Sequence, residues 1–176
     1  MNSPYLPGSH MLDIGLFVAR VVIGLLMAAH GTQKLFGWFH GSGLNKTGEF
    51  FVHLGFPSGR LFASAASIGE VTSGLLMALG FLGPVGPALM MAVMLVAMIS
   101  VHWKNGLFAS TNGVELPLLY MTAAFGIALA GYGLYSLDAL FGISSVWTST
   151  ITWAVLLTGV IGGVLNLMIR RRPARA

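Results

Sequence analysis

Long apolar runs separated by short polar linkers make up most of this chain of 176 residues. Five runs of 17–22 residues cover positions 12–30, 61–82, 85–101, 116–132 and 150–169, and the first can continue as a helix to residue 36. About 20 apolar residues in a helix cross the roughly 30 Å hydrocarbon core of a bilayer. The pattern therefore predicts an all-α fold, a polytopic membrane helix bundle. Five spans are expected, and four are the alternative if the first or the last run lies at the interface.

The linker at 38–60 is too long for a simple turn and has its own pattern. It places four large apolar side chains among polar neighbours: Phe50, Phe51, Leu54 and Phe56. This spacing predicts a short amphipathic helix at the cytoplasmic interface, ended by Gly55 and Pro57. An ordered aromatic loop packed on the bundle is the alternative.

Composition supports a membrane protein and narrows its chemistry. Only 8% of residues are charged and 56% are hydrophobic, with a mean hydropathy of +0.83, whereas soluble domains carry about 25% charged residues. The chain has no cysteine, which excludes a dithiol–disulfide relay and thiolate-bound iron–sulfur clusters. Redox chemistry would then need a bound cofactor, a quinone or a partner subunit.

The distribution of charged residues predicts the orientation. Placing the basic tail at 170–176 in the cytoplasm also places Lys34, Lys46, Arg60 and Lys104 inside, and only acidic residues remain in the outer loops. We therefore expect a multi-pass protein of the cell inner membrane with a cytoplasmic C-terminus. The tail is interpreted as a topology signal, so no nucleic-acid partner is predicted.

The first eleven residues are polar and contain proline, and we expect residues 1–11 to be disordered. The letters GSHM within them resemble a scar left by tag removal. No Lys or Arg precedes the first apolar run, so this run is expected to be a retained span and not a signal peptide.

Two charged residues inside the apolar runs need partners. Arg20 lies about two turns inside the first run and Glu70 lies in the middle of the second, and a charge at such depth costs at least ~2.5–3.5 kcal/mol. Their depths match in antiparallel spans, so we predict an Arg20–Glu70 ion pair. The pair would either fasten two helices or form part of a proton or ligand site. Lys34 lies nearer the end of the run and can extend to the interface.

A second polar group is expected at the cytoplasmic end, where His30, His102 and Glu115 end or begin spans close to Lys34 and Lys104. Histidine titrates near neutral pH and suits proton transfer to a quinone. Interfacial histidines bonded to backbone carbonyls are the simpler interpretation. A bis-histidine haem and a His/His/Glu metal site are not favoured, because no local ligand spacing supports them.

Two further patterns in the spans are interpreted as packing. Met90, Met91, Met94 and Met98 lie along the third run, where a methionine-rich core is favoured over copper ligation. Gly159 and Gly163 have GxxxG spacing in the last run, which favours close helix packing within the chain.

Several motifs together resemble the DoxX family of bacterial integral membrane proteins. They are, in order, Arg20, HGTQKLFG (30–37), LGFP (54–57), Glu70, His102, GVELPLLY (113–120) and GYGLYSLD (131–138). The resemblance implies a DoxX-like four-helix core over residues 12–141. The run at 150–169 would then be an additional C-terminal transmembrane helix, followed by the basic tail at 170–176.

Some DoxX relatives are subunits of a thiosulfate:quinone oxidoreductase, and others are linked to membrane oxidoreductase complexes. The resemblance therefore implies a membrane subunit of a redox system that binds a quinone or small substrate between its helices. Catalytic roles are expected for Arg20, His30, Glu70, His102 and Glu115, and substrate-binding roles for Arg20, Lys34, Glu70 and Tyr120. Asp138 also matches the family, but we interpret it first as a cap of an outer turn.

Partners implied by this hypothesis are the lipid bilayer, soluble or membrane oxidoreductase subunits, and further copies of the chain. The alternative functions are a small-molecule carrier or channel, in which the buried charges line a path, and a non-catalytic membrane anchor for soluble enzymes.

Overall fold

The computed structural model of the protein describes residues 9–171, so the predictions for residues 1–8 and 172–176 lie outside the described residues. The helices of the described part are α1 (Ser9–Phe36), α2 (Gly43–His53), α3 (Gly59–Leu79), α4 (Val85–Ala97), α5 (Glu115–Ala130), α6 (Leu137–Leu140) and α7 (Ser149–Ile169). A π-helical turn, Met98–His102, extends α4, and 3-10 turns lie at Trp38–His40, Trp103–Asn105, Ala109–Thr111 and Ser144–Val146. The predicted all-α bundle is confirmed.

Five long helices, α1, α3, α4, α5 and α7, form the bundle. Four helical stretches are long and apolar enough to cross a bilayer: α1, α3, Val85–Asn105 and α7. Helix α5 has 16 residues, about 24 Å at 1.5 Å per residue, and it packs mainly along α4. The five predicted apolar runs therefore all correspond to long helices, and α5 is the shortest of them when α4 is counted together with its extension to Asn105.

Successive long helices alternate in direction, so the bundle has two chemically different ends. The basic end carries Lys34, Lys46, Arg60, Lys104 and Arg170, and the acidic end carries Asp13 and Asp138. The short helix α2 lies at the basic end, between α1 and α3, and packs mainly on α3.

Small residues allow α1 and α3 to cross in close contact. A Cβ at Gly24 would lie 2.4 Å from the carbonyl oxygen of Gly74, and one at Gly31 would lie 2.6 Å from that of Ser67. Because lipid gives helices little hydrophobic reason to associate, such close van der Waals contact is a main source of helix affinity in membranes. These contacts also fix the antiparallel register of the two helices.

Helix α7 packs against α4 through its glycines. A Cβ at Gly159 would lie 2.5 Å from the carbonyl oxygen of Ala88, and one at Gly163 would lie 3.1 Å from that of Ala92. The predicted packing of the GxxxG pair within the chain is therefore confirmed. At the basic end, the Arg171 amide donates to the Gly55 carbonyl at 2.8 Å, which ties the end of α7 to the turn after α2.

Both interpretations of the linker at 38–60 are partly correct. Residues 43–53 form helix α2, and three aromatic rings pack together: Phe51 on α2, Phe56 in the turn after it and Phe62 on α3. The rings of Phe51 and Phe56 lie 5.3 Å apart, and those of Phe56 and Phe62 lie 5.0 Å apart. The linker therefore forms an aromatic layer over the basic end of α3.

The methionines occupy the centre of the bundle. Met27, Met77 and Met90 are fully buried, and Met91 and Met94 are nearly so. All five belong to one apolar cluster with residues of α5 and α7. The prediction of methionine packing is therefore confirmed for Met90, Met91 and Met94, whereas Met98 is only half-buried and lies outside this cluster. Flexible thioether side chains suit the irregular space between helices that cross at different angles.

Asp138 holds the turn between α3 and α4 at the acidic end. Its two carboxylate oxygens accept hydrogen bonds from the amides of Leu82 at 2.8 Å and Gly83 at 2.7 Å. The carboxylate is buried, and it satisfies two backbone donors that the turn leaves without helical partners. The interpretation of Asp138 as a cap is confirmed.

Candidate functional site

Arg20 is buried, but its partner is not Glu70. Its guanidinium donates to the carbonyl of Ala78 at 2.6 Å and to the carbonyl of Tyr135. The predicted Arg20–Glu70 ion pair is therefore wrong. The physical reason is that the last carbonyls of a helix have no helical donor and carry partial negative charge, so the end of α3 attracts the cation. Ala78 lies eight residues beyond Glu70, about 12 Å along the helix.

Aromatic rings complete the surroundings of Arg20. The guanidinium carbon lies 5.2 Å from the ring centre of Phe17 and 5.9 Å from that of Tyr132. Ring faces attract a cation that is kept from water. Arg20 thus joins α1, the end of α3 and the segment before α6, and these contacts fasten the acidic end of the bundle.

Glu70 forms its ion pair with Lys34. The Lys34 ammonium donates to Oε1 of the fully buried Glu70, while 34% of the Lys34 side chain remains exposed. Side chains on a helix lean toward its N-terminus, so Lys34 reaches along α1 toward the centre of the bundle and not outward to the interface. The other carboxylate oxygen, Oε2, is buried and has no hydrogen-bond partner among residues 9–171.

The Lys34–Glu70 pair lines a crevice of about 650 Å³ between α3, α4 and α7. The aromatic layer of Phe51, Phe56 and Phe62 lines its basic end, and most of its walls are alanine, valine, leucine, glycine and phenylalanine. Its polar lining residues are Lys34, Thr47, Glu70, Ser100, His102, Thr158 and Asn166. Mostly apolar walls with a few polar groups are typical of sites for small molecules and cofactors.

The π-helical turn after α4 brings two polar side chains to the basic end of the crevice. The Ser100 hydroxyl is buried and has no partner in the described part of the chain. Nδ1 of His102 lies 2.8 Å from the carbonyl oxygen of Asn112. Because a carbonyl oxygen can only accept a hydrogen bond, Nδ1 carries the ring proton and donates it. Nε2 of the neutral ring is then a proton acceptor. Single π-helical turns of this kind are frequent at functional sites.

The predicted cluster of His30, His102 and Glu115 does not form. His30 is exposed and meets the ring of Tyr120 edge-on, with ring centres 6.0 Å apart. Glu115 accepts a hydrogen bond from the Ala109 amide at 2.6 Å. Between residues 9 and 171, no three His, Asp or Glu side chains lie close enough to hold one metal ion. His102 and Glu115 bond within the loop before α5, which folds back on itself, whereas His30 is held apart from them on α1.

Of the other predicted site residues, Tyr120 contacts His30, whose ring it meets edge-on. The structure therefore joins the predicted site residues in two pairs, Lys34 with Glu70 and His30 with Tyr120. His102 lines the crevice, whereas Arg20 and Glu115 do not.

Sequence reasoning missed the contribution of α7 and of Ser100. Thr158, Gly162 and Asn166 of α7 line the crevice. A Cβ added at Gly162 would meet no atom within 4 Å, whereas one at Gly159 or Gly163 would lie against α4. The cluster of three glycines was visible in the sequence, but only the crossing of α7 over α4 shows which glycine faces open space.

A second cavity of about 460 Å³ lies at the acidic end. It is lined by Asp13, Asp138, Tyr132, Trp147 and Trp153 among others, and it shares no lining residue with the crevice. The second cavity lies next to the end of the crevice, since Pro84 lines the former and Val85 the latter.

Comparison with known proteins gives one result that bears on this site. The family model described as DoxX matches residues 15–103, about half of the chain. The matched stretch includes Lys34, Glu70 and His102, whereas α5 and α7 lie outside it. No curated protein and no solved structure matches the chain.

Proposed function

Because the chain belongs to the DoxX family, we propose that this multi-pass membrane protein is the quinone-binding subunit of a membrane redox system. The quinone lies in the crevice, beside the Lys34–Glu70 pair. A partner oxidoreductase subunit supplies or removes the electrons, because the chain has no cysteine for a dithiol relay or a thiolate-bound cluster.

The observation that carries this proposal is the Glu70 carboxylate. Glu70 is fully buried on an apolar crevice, Lys34 satisfies one of its oxygens, and Oε2 has no partner in the described chain. A buried polar atom without a hydrogen bond costs about 1–3 kcal/mol. A quinol hydroxyl would donate to this oxygen, and the Lys34 ammonium would donate to a quinone carbonyl, so the residues present fit both forms.

A bound quinone would supply reversible two-electron, two-proton chemistry within the bilayer. The residues of this chain bind the ring and hold protons: Glu70 holds one at Oε2, and His102 holds one at Nε2 near the basic end of the crevice. Lys34 is both paired with Glu70 and about one-third exposed. Its side chain therefore connects the buried carboxylate with water at the basic end.

Binding is favoured over conduction by the walls of the crevice. A carrier or channel for hydrophilic solutes would need polar groups along a continuous path, whereas every crevice-lining residue of α4 between Val85 and Ala97 is apolar. The crevice also has predominantly apolar walls, which suit a lipid-soluble ring better than an ion or a hydrophilic solute.

Quinone binding is tested by titrating the protein in lipid nanodiscs with a short-chain ubiquinol analogue, kept reduced, and following heat or intrinsic fluorescence. We expect saturable binding and an affinity about tenfold lower in Glu70→Gln, because a hydrogen bond to a charged group contributes about 1.5–3 kcal/mol. Glu49→Gln is the matched control, since Glu49 is exposed on α2 and does not line the crevice. Absence of saturable binding, or equal affinity in both variants, would contradict the proposal.

A further inference from the structure

The crevice is much longer than the ring of a quinone. Its lining along α4 begins at Val85 and continues to His102, a length of about 25 Å at 1.5 Å per residue. A ring with its substituents fills only part of this length. The remaining space therefore belongs either to a second group of the same ligand or to another molecule.

Polarity is distributed unevenly along the crevice. Gly69 of α3 lies beside Leu89 and Val93 of α4, so Glu70 is near the middle of the crevice. Ser100 and His102 lie toward the basic end. Toward the acidic end the lining is aliphatic, with Val85, Ala88, Leu89 and Val155. A molecule that fits this distribution has a polar ring at the basic half and an apolar chain toward the acidic end.

Helix α7 forms one wall of the aliphatic half, and its glycines determine the width. Gly159 and Gly163 are in contact with α4, while the Cα of Gly162 faces open space at the crevice. A side chain at Gly162 would therefore project into the crevice without disturbing the packing of α7 on α4. Because Gly159 meets Ala88 and Gly163 meets Ala92, Gly162 lies at about the depth of Glu70, and glycine here keeps the crevice wide where the chain leaves the ring.

We propose, resting on the quinone-binding function above, that the ligand carries a long apolar chain and that α7 is the element that selects it. The chain runs from the ring past Gly162 toward Val85. The stretch matched by the DoxX model supplies Lys34, Glu70 and His102, whereas α7 lies beyond the match at 15–103. The matched part thus supplies the polar groups that bind the ring and, through α4, one wall of the aliphatic half, whereas α7 supplies another wall of that half.

The proposal is tested with two ubiquinol analogues that share a ring, one without a chain and one with a decyl chain, in nanodiscs of fixed lipid composition. Affinities are compared between variants for the same analogue, so partitioning into the bilayer cancels. We expect Gly162→Leu to weaken binding of the decyl analogue at least tenfold and binding of the ring alone less than threefold. Val85→Trp, at the far end of the crevice, should likewise affect only the decyl analogue.

Gly126→Leu is the matched control, because Gly126 also lies inside a helix, faces open space and does not line the crevice. It should leave both affinities unchanged. Equal losses for the two analogues in Gly162→Leu, or no loss for either, would overturn the chain assignment while leaving quinone binding intact. A phospholipid that stays bound and that the decyl analogue does not displace would also overturn it. Failure of both analogues to bind the unmodified protein would instead refute the quinone proposal itself.

Discussion

Lys34 of α1 and Glu70 of α3 form an ion pair beside a close contact between the two helices. Gly31 and Ser67 make that contact, and each charged residue lies three positions further along its own helix. The long Lys34 side chain spans the difference in depth because it leans toward the N-terminus of α1. Close backbone packing therefore determines which cation reaches the buried carboxylate.

Replacing Lys34 with methionine should destabilise the protein. The change leaves Glu70 buried without its cation, and breaking a fully buried pair in this way costs about 3–5 kcal/mol. Because 34% of the Lys34 side chain is exposed, we expect about 1–3 kcal/mol after solvent screening. Thermal unfolding in detergent measures this loss of stability. Lys46→Met is the control, because Lys46 is exposed on α2. The double variant Lys34→Met/Glu70→Gln should recover part of the loss, and no recovery would contradict the pairing.

Replacing Arg20 with lysine should lower the stability of the protein and leave its affinity for the ligand nearly unchanged. A lysine keeps the charge but lacks the planar fork that reaches two carbonyls at once, and Arg20 contacts those of Ala78 and Tyr135. We expect a loss of about 1–3 kcal/mol in the free energy of unfolding. The affinity for the short-chain ubiquinol analogue should change less than twofold. A stable variant with much weaker ligand binding would show that Arg20 belongs to the ligand site after all.

Two alanine substitutions on α7 should have opposite effects. Gly159→Ala places a Cβ 2.5 Å from the Ala88 carbonyl oxygen, so α7 must move and stability should fall by about 1–3 kcal/mol. Gly162→Ala meets no atom within 4 Å, and alanine favours the helix by about 0.8–1 kcal/mol over glycine. Unfolding temperatures measured side by side test this. Similar values for the two variants would contradict the packing of α7 on α4.

Single cysteines should report the predicted orientation of the bundle. The natural chain has none, so Glu49→Cys at the basic end and Ser145→Cys at the acidic end each give one reactive thiol. Both positions are exposed. A membrane-impermeant maleimide applied to intact cells should label the cysteine at position 145 and not the one at 49, because basic loops remain in the cytoplasm. The reverse pattern would place the basic end of the bundle, with Ser100, His102 and the end of α7, outside.

The sequence predicts the helices well because long apolar runs have few alternatives in a membrane, where every backbone group must be satisfied within the segment. It also predicts that Glu70 needs a cation. It does not predict which one, because depth along a span ignores the direction in which a side chain leans and the carbonyls at the end of a neighbouring helix. For these two reasons Lys34, and not Arg20, pairs with Glu70.

The crevice itself was beyond sequence reasoning for a related reason. Ser100 lies on it because α4 ends in a π-helical turn, and Gly162 lies on it because α7 crosses α4 through the two flanking glycines. Neither the turn nor the crossing leaves a distinct apolar pattern. Local periodicity determines which residues are helical, whereas the space between helices depends on contacts between distant segments.

Photoaffinity mapping tests the central claim, quinone binding beside Glu70, most directly. The protein in nanodiscs is illuminated with an azido-quinone, digested and analysed by mass spectrometry, with and without excess unlabelled quinone. We predict displaceable label on α3, α4 and α7 at residues that line the crevice, and strongly reduced label in Glu70→Gln but not in Glu49→Gln. Label confined to the cavity at the acidic end, or label that unlabelled quinone does not displace, would contradict the account.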